Sequence, residues 1–434
     1  MSLSLQRYNA FPDQNSRLLQ LLKLRSKNER ERSKMISMEA GVGADLPESL
    51  IIEILSWLPV KDLLQLKSVC KSWYAIILNP HFVSKHLNNY YYSNINNIWR
   101  SCLLAQYQFT YASLVLCEFL VDDETHNHPR VLEYGDDVLT TMSSMRGSNI
   151  CGPCDGLYYL FYYHDNRRAL WNHAINEFKP LPELIFKPDL PSTITYAPYE
   201  VFGFGLDPVT KDYKVVVIKG YWSKTPDEDG CYFVRHPWSV LVYSLWTDSW
   251  RYCGDLARDY ELDINNCYMY VNGCCYWLGI YPGFDSSKDV IISFDMATNE
   301  FKEIVVPDYV KPSERCLAIY DGSLALLSLH KTLKILEIWT FGIREGSSWI
   351  KQHTMGPFPH IWNPLGHWKD NCILLESTAG ELVLIDPITH ELKNIVGSVF
   401  HGLSCRGVFA YMESLVSFKD KINPELLLED DNYQ

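Results

Sequence analysis

The sequence predicts a small all-α module (three helices) followed by a large all-β domain, most simply a β-propeller. Apolar residues recur at helical spacing within residues 45–88, and this spacing disappears after about residue 100. From there to residue 418, short runs of β-branched and aromatic residues alternate with Gly, Asp, Asn and Pro. A chain of 434 residues is also too long for one small core, which agrees with two modules of unequal size.

The first predicted helix begins beside a capping motif and ends at a proline. Asp45 is placed to cap the helix, Glu48 follows three residues later as its reciprocal partner, and Pro47 fits the first turn. Pro59 then stops the helix. The apolar residues between these signals form one stripe: Leu50, Ile51, Ile54, Leu55 and Leu58.

Two further short helices are predicted, over residues 61–66 and 67–78, and Asn79-Pro80 ends the second of them. Three short helices bury little apolar surface by themselves. This module nevertheless carries more leucine and tryptophan than so small a core can hide. Either a partner helix bundle or the second domain of the chain covers the surplus, and periodicity alone does not decide between them.

A short unit recurs along the β domain: an apolar strand, a polar turn, then an aromatic or apolar residue near a Lys or Arg. The closing residues of successive units are 35 to 51 positions apart, namely Phe178, Tyr213, Trp250, Phe301, Trp349 and Leu392. An all-β repeat near 40–50 residues is typical of propeller blades, each unit being a hairpin whose polar turn faces water. A large irregular β-sandwich is the alternative, and the pattern leaves the blade number open.

Composition limits the classes of function. The chain has 39 Lys and Arg against 52 Asp and Glu, a net charge of −13, which argues against nucleic-acid binding and permits a basic protein partner. A net negative charge is also common among soluble proteins, so it does not by itself indicate a basic partner. No apolar run is long enough to span a membrane, and no signal peptide is evident. Thirteen scattered cysteines indicate a reducing compartment, so we expect a cytoplasmic or nuclear protein.

No pattern in the sequence indicates a cofactor, a metal site or catalytic residues. Cys151 and Cys154 are spaced like half a zinc site, but no second pair follows at a suitable distance, since Cys274 and Cys275 are adjacent. Buried thiols are therefore the expectation. The chain also lacks the common short motifs of metalloproteases, serine hydrolases and phosphate-binding loops. A propeller hydrolase or oxidase with an incidental helical N-terminus remains the alternative.

The helical module resembles the F-box. The resemblance rests on Asp45-Leu46-Pro47-Glu48, Ile54-Leu55, Leu58-Pro59-Val60-Lys61, Leu63-Leu64 and Val69-Cys70-Lys71-Ser72-Trp73. F-boxes bind a Skp-type adaptor, which in turn binds a cullin that carries a RING subunit. The resemblance implies that eight residues line or support the adaptor interface: Leu46, Pro47, Pro59, Val60, Leu63, Val69, Cys70 and Trp73. Some of these belong to the internal core instead, and the sequence does not divide the two groups.

The β domain resembles the F-box-associated region of plant F-box proteins, and in particular the S-locus F-box group and its relatives. Matching stretches include 152–157, 178–182, 203–205 with 212–216, and 411–416, and the resemblance implies a kelch-like propeller. One departure is His173, where the family usually has proline after asparagine. The resemblance implies a non-catalytic substrate-recognition subunit of a ubiquitin ligase. It also implies a candidate target, since the S-locus group binds pistil ribonucleases, which are commonly basic.

Acidic residues collect in four predicted loops, which suggests either solubility or a face that attracts a basic partner. The residues are Asp122, Asp123, Glu124, Glu133, Asp136, Asp137, Asp227, Glu228, Asp229, Asp255, Asp259, Glu261 and Asp263. The predicted substrate-binding set centres on Asp227, Glu228 and Asp229, because the insert from 223 to 236 is the longest polar interruption between strands. Trp222 and Tyr232 are its predicted aromatic anchors. A flexible solvated loop is the alternative.

The expected organisation has five parts. These are a flexible leader (1–44), the F-box (45–88), a linker (89–99), the β domain (100–418) and an acidic flexible tail (419–434). The basic, leucine-containing part of the leader could alternatively form a short amphipathic helix, and Met35 or Met38 could be the natural start.

Overall fold

The structure is a computed structural model, and it divides into two compact units with the boundary between Tyr91 and Tyr92. The residues that it describes are 46–95, 102–110, 113–120, 130–131, 148–162, 166–186, 195–227, 230–256, 258, 260–262, 268–281, 288–308, 310, 314–342, 348–368, 371–396 and 404–418. The predicted leader and acidic tail lie outside the described residues.

The described part of the first unit contains four helices, the last of which continues past Tyr91. They are α1 (Glu48–Leu55), α2 (Val60–Leu66), α3 (Lys71–Leu78) and α4 (Pro80–Ile95). Their apolar faces meet in a small core of Leu55, Leu58, Val60, Leu63, Leu66, Ile76, Ile77 and Phe82. Polar contacts tie α4 to the turn between α1 and α2. A ring nitrogen of the buried His86 lies 2.9 Å from the Leu58 carbonyl oxygen. Asn89 Nδ2 donates to Ser56 Oγ at 2.8 Å.

Two predicted helix starts were wrong. Pro47 is the residue before α1 and not part of its first turn, with φ −52° and ψ 141°, and no side chain caps the helix. The Pro47 carbonyl oxygen accepts the first helical hydrogen bonds, so Pro47 is itself the N-cap residue. Asp45, the predicted cap, lies outside the described residues. The third helix begins at Lys71 and not at residue 67, because Cys70 has an extended backbone.

The sequence prediction missed α4, because Asn79-Pro80 was interpreted only as a helix stop. The same two residues start a new helix. Asn79 Oδ1 accepts a hydrogen bond from the His81 backbone N–H at 2.9 Å, and Pro80 occupies the first helical position, where a missing N–H costs nothing. Residues 89–95 of the predicted linker are therefore helical.

In the described part of the second unit, the strands form six antiparallel sheets. Blade 1 contains β1 (Cys102–Thr110), β2 (Ser113–Leu120), β3 (Arg130–Val131) and β26 (Ser404–Tyr411). Blade 2 contains β4 (Ser148–Cys154), β5 (Leu157–Tyr162), β6 (Arg168–Asn172) and β7 (Glu177–Pro180). Blade 3 contains β8 (Thr195–Leu206), β9 (Tyr213–Asp227), β10 (Gly230–Arg235), β11 (Ser239–Ser244) and β12 (Ser249–Asp255).

The remaining strands belong to the other three sheets. Blade 4 contains β13 (Glu261–Leu262), β14 (Tyr268–Val271), β15 (Cys274–Tyr281), β16 (Lys288–Asp295) and β17 (Phe301–Val305). Blade 5 contains β18 (Glu314–Tyr320), β19 (Ser323–Leu329), β20 (Leu336–Gly342) and β21 (Ser348–Met355). Blade 6 contains β22 (Ile361–His367), β23 (Ile373–Ser377), β24 (Leu382–Ile385) and β25 (Leu392–Val396).

These sheets form a closed ring, which confirms the predicted propeller. The inner strands of successive blades contact one another in the order β4, β8, β14, β18, β22 and β26, and β26 returns to β4. Blade 1 joins the two ends of the domain, because β26 pairs with β1 from Cys102↔Tyr411 to Gln108↔Ser404. Each blade buries apolar side chains against its neighbours, as the shared core of blades 3 and 4 around Trp277 illustrates.

Five of the six repeat units predicted from sequence are the outer hairpins of blades 2 to 6. In four of them an aromatic pair closes the hairpin, in the registers Trp171↔Phe178, Tyr243↔Trp250, Phe294↔Phe301 and Phe341↔Trp349. The unit that ends at Tyr213 is different. It is the inner hairpin of blade 3, formed by β8 and β9, and so belongs to the same blade as the unit that ends at Trp250. Local pattern alone could not separate inner from outer hairpins.

Candidate adaptor-binding and substrate-binding surfaces

The helical unit keeps apolar side chains at its surface. Leu46 and Leu50 are each 49% exposed and Tyr74 is 53% exposed, although the unit already has a filled core. Leu46 lies two residues before the start of α1, and Leu50 lies on its first turn, so both sit at the same end of that helix. Exposed leucine and tyrosine side chains on so small a unit are typical of a surface that binds another protein.

The structure divides the eight residues assigned to the adaptor interface into three groups. Leu46, Pro47 and Cys70 are exposed, whereas Val60 and Leu63 are fully buried in the helical core. Those two can support an interface but not touch a partner. The remaining three are half-buried: Pro59, Val69 and Trp73.

The insert of blade 3 is a β-hairpin and not the irregular loop that its polar composition suggested. Strand β9 continues to Asp227, and β10 returns from Gly230 to Arg235, in register from Gly230↔Asp227 to Arg235↔Trp222. Asp227 and Tyr232 therefore lie on paired strands, whereas Glu228 and Asp229 lie outside the described residues. A strand pair can hold side chains in a fixed order, which a flexible loop cannot.

Trp222 has a partner within the chain. The Arg235 guanidinium lies 4.6 Å from the centroid of the Trp222 ring, and Arg235 also pairs with Glu261 at 2.7 Å. The half-buried indole is thus covered on one face by a cation that a carboxylate holds in place. This geometry fixes the base of the hairpin and leaves less of Trp222 available as an anchor than the sequence suggested.

Two of the predicted acidic residues are already engaged inside the domain. Glu261 pairs with Arg235 as described, and Asp255 Oδ1 accepts a hydrogen bond from Ser239 Oγ at 2.8 Å. The acidic residues at 122–124, 133, 136, 137, 259 and 263 lie outside the described residues.

Sequence analysis missed a cluster at the outer edge of the junction between blades 3 and 4. The Tyr260 hydroxyl donates to Glu303 Oε1 and the Tyr281 hydroxyl donates to Glu303 Oε2. Arg258 Nε lies 3.4 Å from Glu303 Oε1, and its guanidinium lies 5.8 Å from the centroid of the Tyr281 ring. No local motif could have found this cluster, because about 45 residues separate its two ends in sequence.

The cluster presents a fixed carboxylate. Burial raises the pKa of Glu303, but the hydrogen bonds from Tyr260 and Tyr281 outweigh that effect and lower it, so the carboxylate is ionised at neutral pH. Burial raises the pKa of both tyrosines, which therefore remain donors. The Tyr260 carbonyl oxygen in turn accepts a hydrogen bond from Trp238 Nε1 at 2.8 Å, which anchors this segment to blade 3.

Two buried cysteines, Cys154 and Cys275, offer little chemical reactivity. Burial, with a smaller contribution from Asp155, raises the pKa of the Cys154 thiol well above its ordinary value. Burial has the same effect on Cys275. Both thiols are protonated at neutral pH and are poor nucleophiles. Among the described residues, no three His, Cys, Asp or Glu side chains are grouped closely enough to hold a metal ion.

A helical unit with exposed apolar side chains, followed by a propeller, is an arrangement typical of proteins that bind other proteins. Two family models match the chain: an F-box domain over residues 44–85 and an F-box associated beta propeller domain over residues 112–396. The chain therefore belongs to the plant F-box proteins that carry an F-box-associated propeller. This domain pair supports a substrate-recognition role in a Skp–cullin–F-box ubiquitin ligase.

The chain is similar to F-box proteins of Arabidopsis thaliana at low identity. The chain is 27% identical over 406 residues to F-box protein At3g07870, covering 84% of this chain and 90% of the relative. It is 28% identical over 301 residues to F-box protein At3g08750, covering 68% of this chain and 69% of the relative. It is 26% identical over 387 residues to F-box/kelch-repeat protein At3g23880, covering 87% of this chain and 96% of the relative.

None of the four helices in the described part of the chain is both long enough and apolar enough to cross a bilayer.

Proposed function

We propose that this chain is the substrate-recognition subunit of a Skp–cullin–F-box ubiquitin ligase and performs no catalysis itself. Its F-box binds a Skp-type adaptor, which recruits the cullin and the RING subunit. Its propeller binds a target protein. Ubiquitin transfer then takes place on the other subunits, and this chain contributes proximity and orientation.

One observation carries the proposal. The unit that matches the F-box model has a filled core and still exposes Leu46, Leu50 and Tyr74. Exposing these side chains to water is unfavourable, and docking on an apolar partner surface would remove that cost. Buried Val60 and Leu63 support the helices that present this surface.

The proposal also names a class of target protein for the propeller. The resemblance to the S-locus group favours a secreted pistil ribonuclease as the target. This chain would bind the ribonuclease in the cytoplasm or nucleus after its uptake. A net charge of −13 suits a basic partner of this kind. Asp227, Glu228, Asp229 and Tyr232 on the blade 3 hairpin, with Trp222 at its base, are the proposed contact residues.

Reconstitution tests the proposal. Full-length chain, co-expressed with a Skp-type adaptor and added to purified cullin, RING, E1 and E2 proteins, should direct ubiquitin onto proteins captured from the native tissue. We expect the chain to be soluble chiefly as the adaptor complex. A chain that stays monodisperse alone and shows no adaptor binding at micromolar concentration would refute the proposal.

A further inference from the structure

We propose that Glu303, Tyr260 and Tyr281 form a receptor for an arginine side chain of the bound protein, and that Arg258 occupies this receptor when no partner is present. The inference rests on the proposed function, because it assigns part of the surface with which the propeller would hold its target. It places a recognition point at the outer edge of the junction between blades 3 and 4.

The geometry of the carboxylate is the first argument. Each oxygen of Glu303 accepts one tyrosine hydroxyl, so the carboxylate cannot rotate freely, and it points its charge in one direction. The rings of Tyr260 and Tyr281 pack against each other, with centroids 5.4 Å apart and planes inclined at 52°. Tyr260 is buried and positions the carboxylate, whereas the half-buried Tyr281 supplies an aromatic surface beside it. A fixed anion next to an aromatic ring is suited to a guanidinium, which pairs with carboxylates and stacks on aromatic rings.

The second argument is that a guanidinium already occupies this place, and only loosely. Arg258 contacts Glu303 at 3.4 Å and the Tyr281 hydroxyl at 3.4 Å, both long for hydrogen bonds. Its side chain is 62% exposed, whereas that of Glu303 is 30% exposed. Exposed ion pairs contribute little to stability, so a partner's arginine can displace Arg258 at small cost.

The third argument is a contrast with the neighbouring arginine. Arg235 pairs with Glu261 at 2.7 Å, covers the Trp222 ring and has a side chain that is only 17% exposed. Arg235 is thus a structural cation that closes the base of the blade 3 hairpin. Arg258 has the same kinds of partner but is poorly aligned and open to solvent, which is expected of an occupant that can leave.

The test uses the full-length chain in complex with its adaptor. The probe is an acetylated and amidated Gly-Gly-Arg-Gly-Gly peptide, with binding followed by NMR titration, and the same peptide with citrulline in place of arginine is the reference. We expect weak binding of the arginine peptide, at least threefold tighter binding to Arg258→Ala, and at least threefold weaker binding to Glu303→Gln. Citrulline keeps the shape but lacks the charge, so its peptide should bind at least threefold more weakly than the arginine peptide.

Glu337→Gln is the matched control. Glu337 lies on the outer part of blade 5, pairs with Lys351 at 2.6 Å and accepts a hydrogen bond from Trp339, so it undergoes the same charge change in a similar setting. This variant should bind the peptide like the wild type. If Arg258→Ala does not tighten binding, or if the citrulline peptide binds equally well, the inference is wrong. Adaptor binding, measured on the same samples, reports separately on the proposed function.

Discussion

Asn172 donates a hydrogen bond from Nδ2 to the backbone carbonyl oxygen of Ser414, 3.0 Å away and 242 residues later in the chain. The same nitrogen lies 2.8 Å from the Val416 carbonyl oxygen, and Asn172 is completely buried. Glu177, on the next strand, accepts hydrogen bonds from Ser417 Oγ and the Phe418 N–H. The segment that follows the last strand is thereby held on blade 2.

Asn172→Asp should destabilise the propeller by about 2–4 kcal/mol, because it removes the amide donor and sets a carboxylate against two buried carbonyl oxygens. The new side chain retains the acceptor that binds the Ala174 N–H, so the turn itself is preserved. Asp386→Asn, at the equivalent turn of blade 6, should change stability by less than about 1 kcal/mol. Urea unfolding of both variants checks this, and equal effects would contradict it.

Changing Leu46 and Pro47 together to Ala should abolish co-purification with a Skp-type adaptor while leaving the melting temperature nearly unchanged, because both side chains are exposed. Leu63→Ala should instead destabilise the helical unit by about 2–5 kcal/mol, since Leu63 is fully buried. Calorimetric titration with the adaptor, together with thermal unfolding, separates the two effects. Undiminished adaptor binding by the double variant would refute the F-box assignment.

Glu200→Ala should be strongly destabilising, by about 3–5 kcal/mol, because it leaves two buried cations without their carboxylate. Glu200 pairs with Arg168 at 2.8 Å and with Lys219 at 2.9 Å, across the junction between blades 2 and 3. Glu261→Ala breaks the pair with Arg235, in which the carboxylate is 55% exposed, and should cost only about 0–1 kcal/mol. Chemical denaturation gives both values, and a small effect at Glu200 would contradict the prediction.

Lowering the pH should weaken the propeller through His367. Burial lowers the pKa of this histidine to about 4, whereas an unfolded histidine titrates near about 6.5. Between these values the unfolded state binds a proton that the folded state does not. Stability is therefore complete above about pH 6.5 and is lost as the pH falls, by about 2 kcal/mol between pH 7 and pH 5.

The His367→Gln variant isolates this contribution. It should be less stable than the wild type at pH 7, since His367 Nδ1 accepts a hydrogen bond from the Ile319 N–H at 3.2 Å. Its difference from the wild type should shrink as the pH falls to 5, because the variant lacks the titrating group. A His81→Gln variant, changed at an exposed position, serves as the comparison. A constant difference across this range would contradict the prediction.

Reversing Asp227, Glu228 and Asp229 to Lys should slow association with a basic target at least several-fold at low salt, because these charges steer a basic protein toward the blade 3 hairpin. Adaptor binding should not change, since the F-box lies in the other unit. Stopped-flow measurements at two salt concentrations provide the check. An unchanged on-rate, with no salt dependence in the wild type, would place target recognition elsewhere.

The β domain was predictable because its hairpins repeat a local pattern. Within each hairpin, the apolar strand, the polar turn and the closing aromatic residue lie close together in sequence, so a single sequence reveals them. Trp250 and Phe301 are two such closing residues, in different hairpins. The fourth helix was missed for the opposite reason, since Asn79-Pro80 can both end one helix and start another. The packing of α4 on the helical core, through contacts of Phe82, His86 and Asn89, favours the second outcome.

The candidate surfaces were predictable only where a family resemblance named them. Leu46 and Pro47 were identified in this way, but their exposure and the burial of Val60 depend on how the helices pack. The cluster around Glu303 joins residues from three segments and has no local signature. The acidic residues at 227–229 were evident from the sequence, but the pairing of β9 with β10 was not.

Because β1 pairs with β26, the propeller can close only after the last strand has been synthesised. About 300 residues separate the two strands, and at about 5–20 residues per second a ribosome needs about 15–60 seconds to make them. During that interval β1 has an unpaired edge, which chaperones or other nascent chains can meet. A transcript that ends early leaves the ring open permanently. A chain truncated before β26 therefore keeps this edge of β1 open to pairing with other chains.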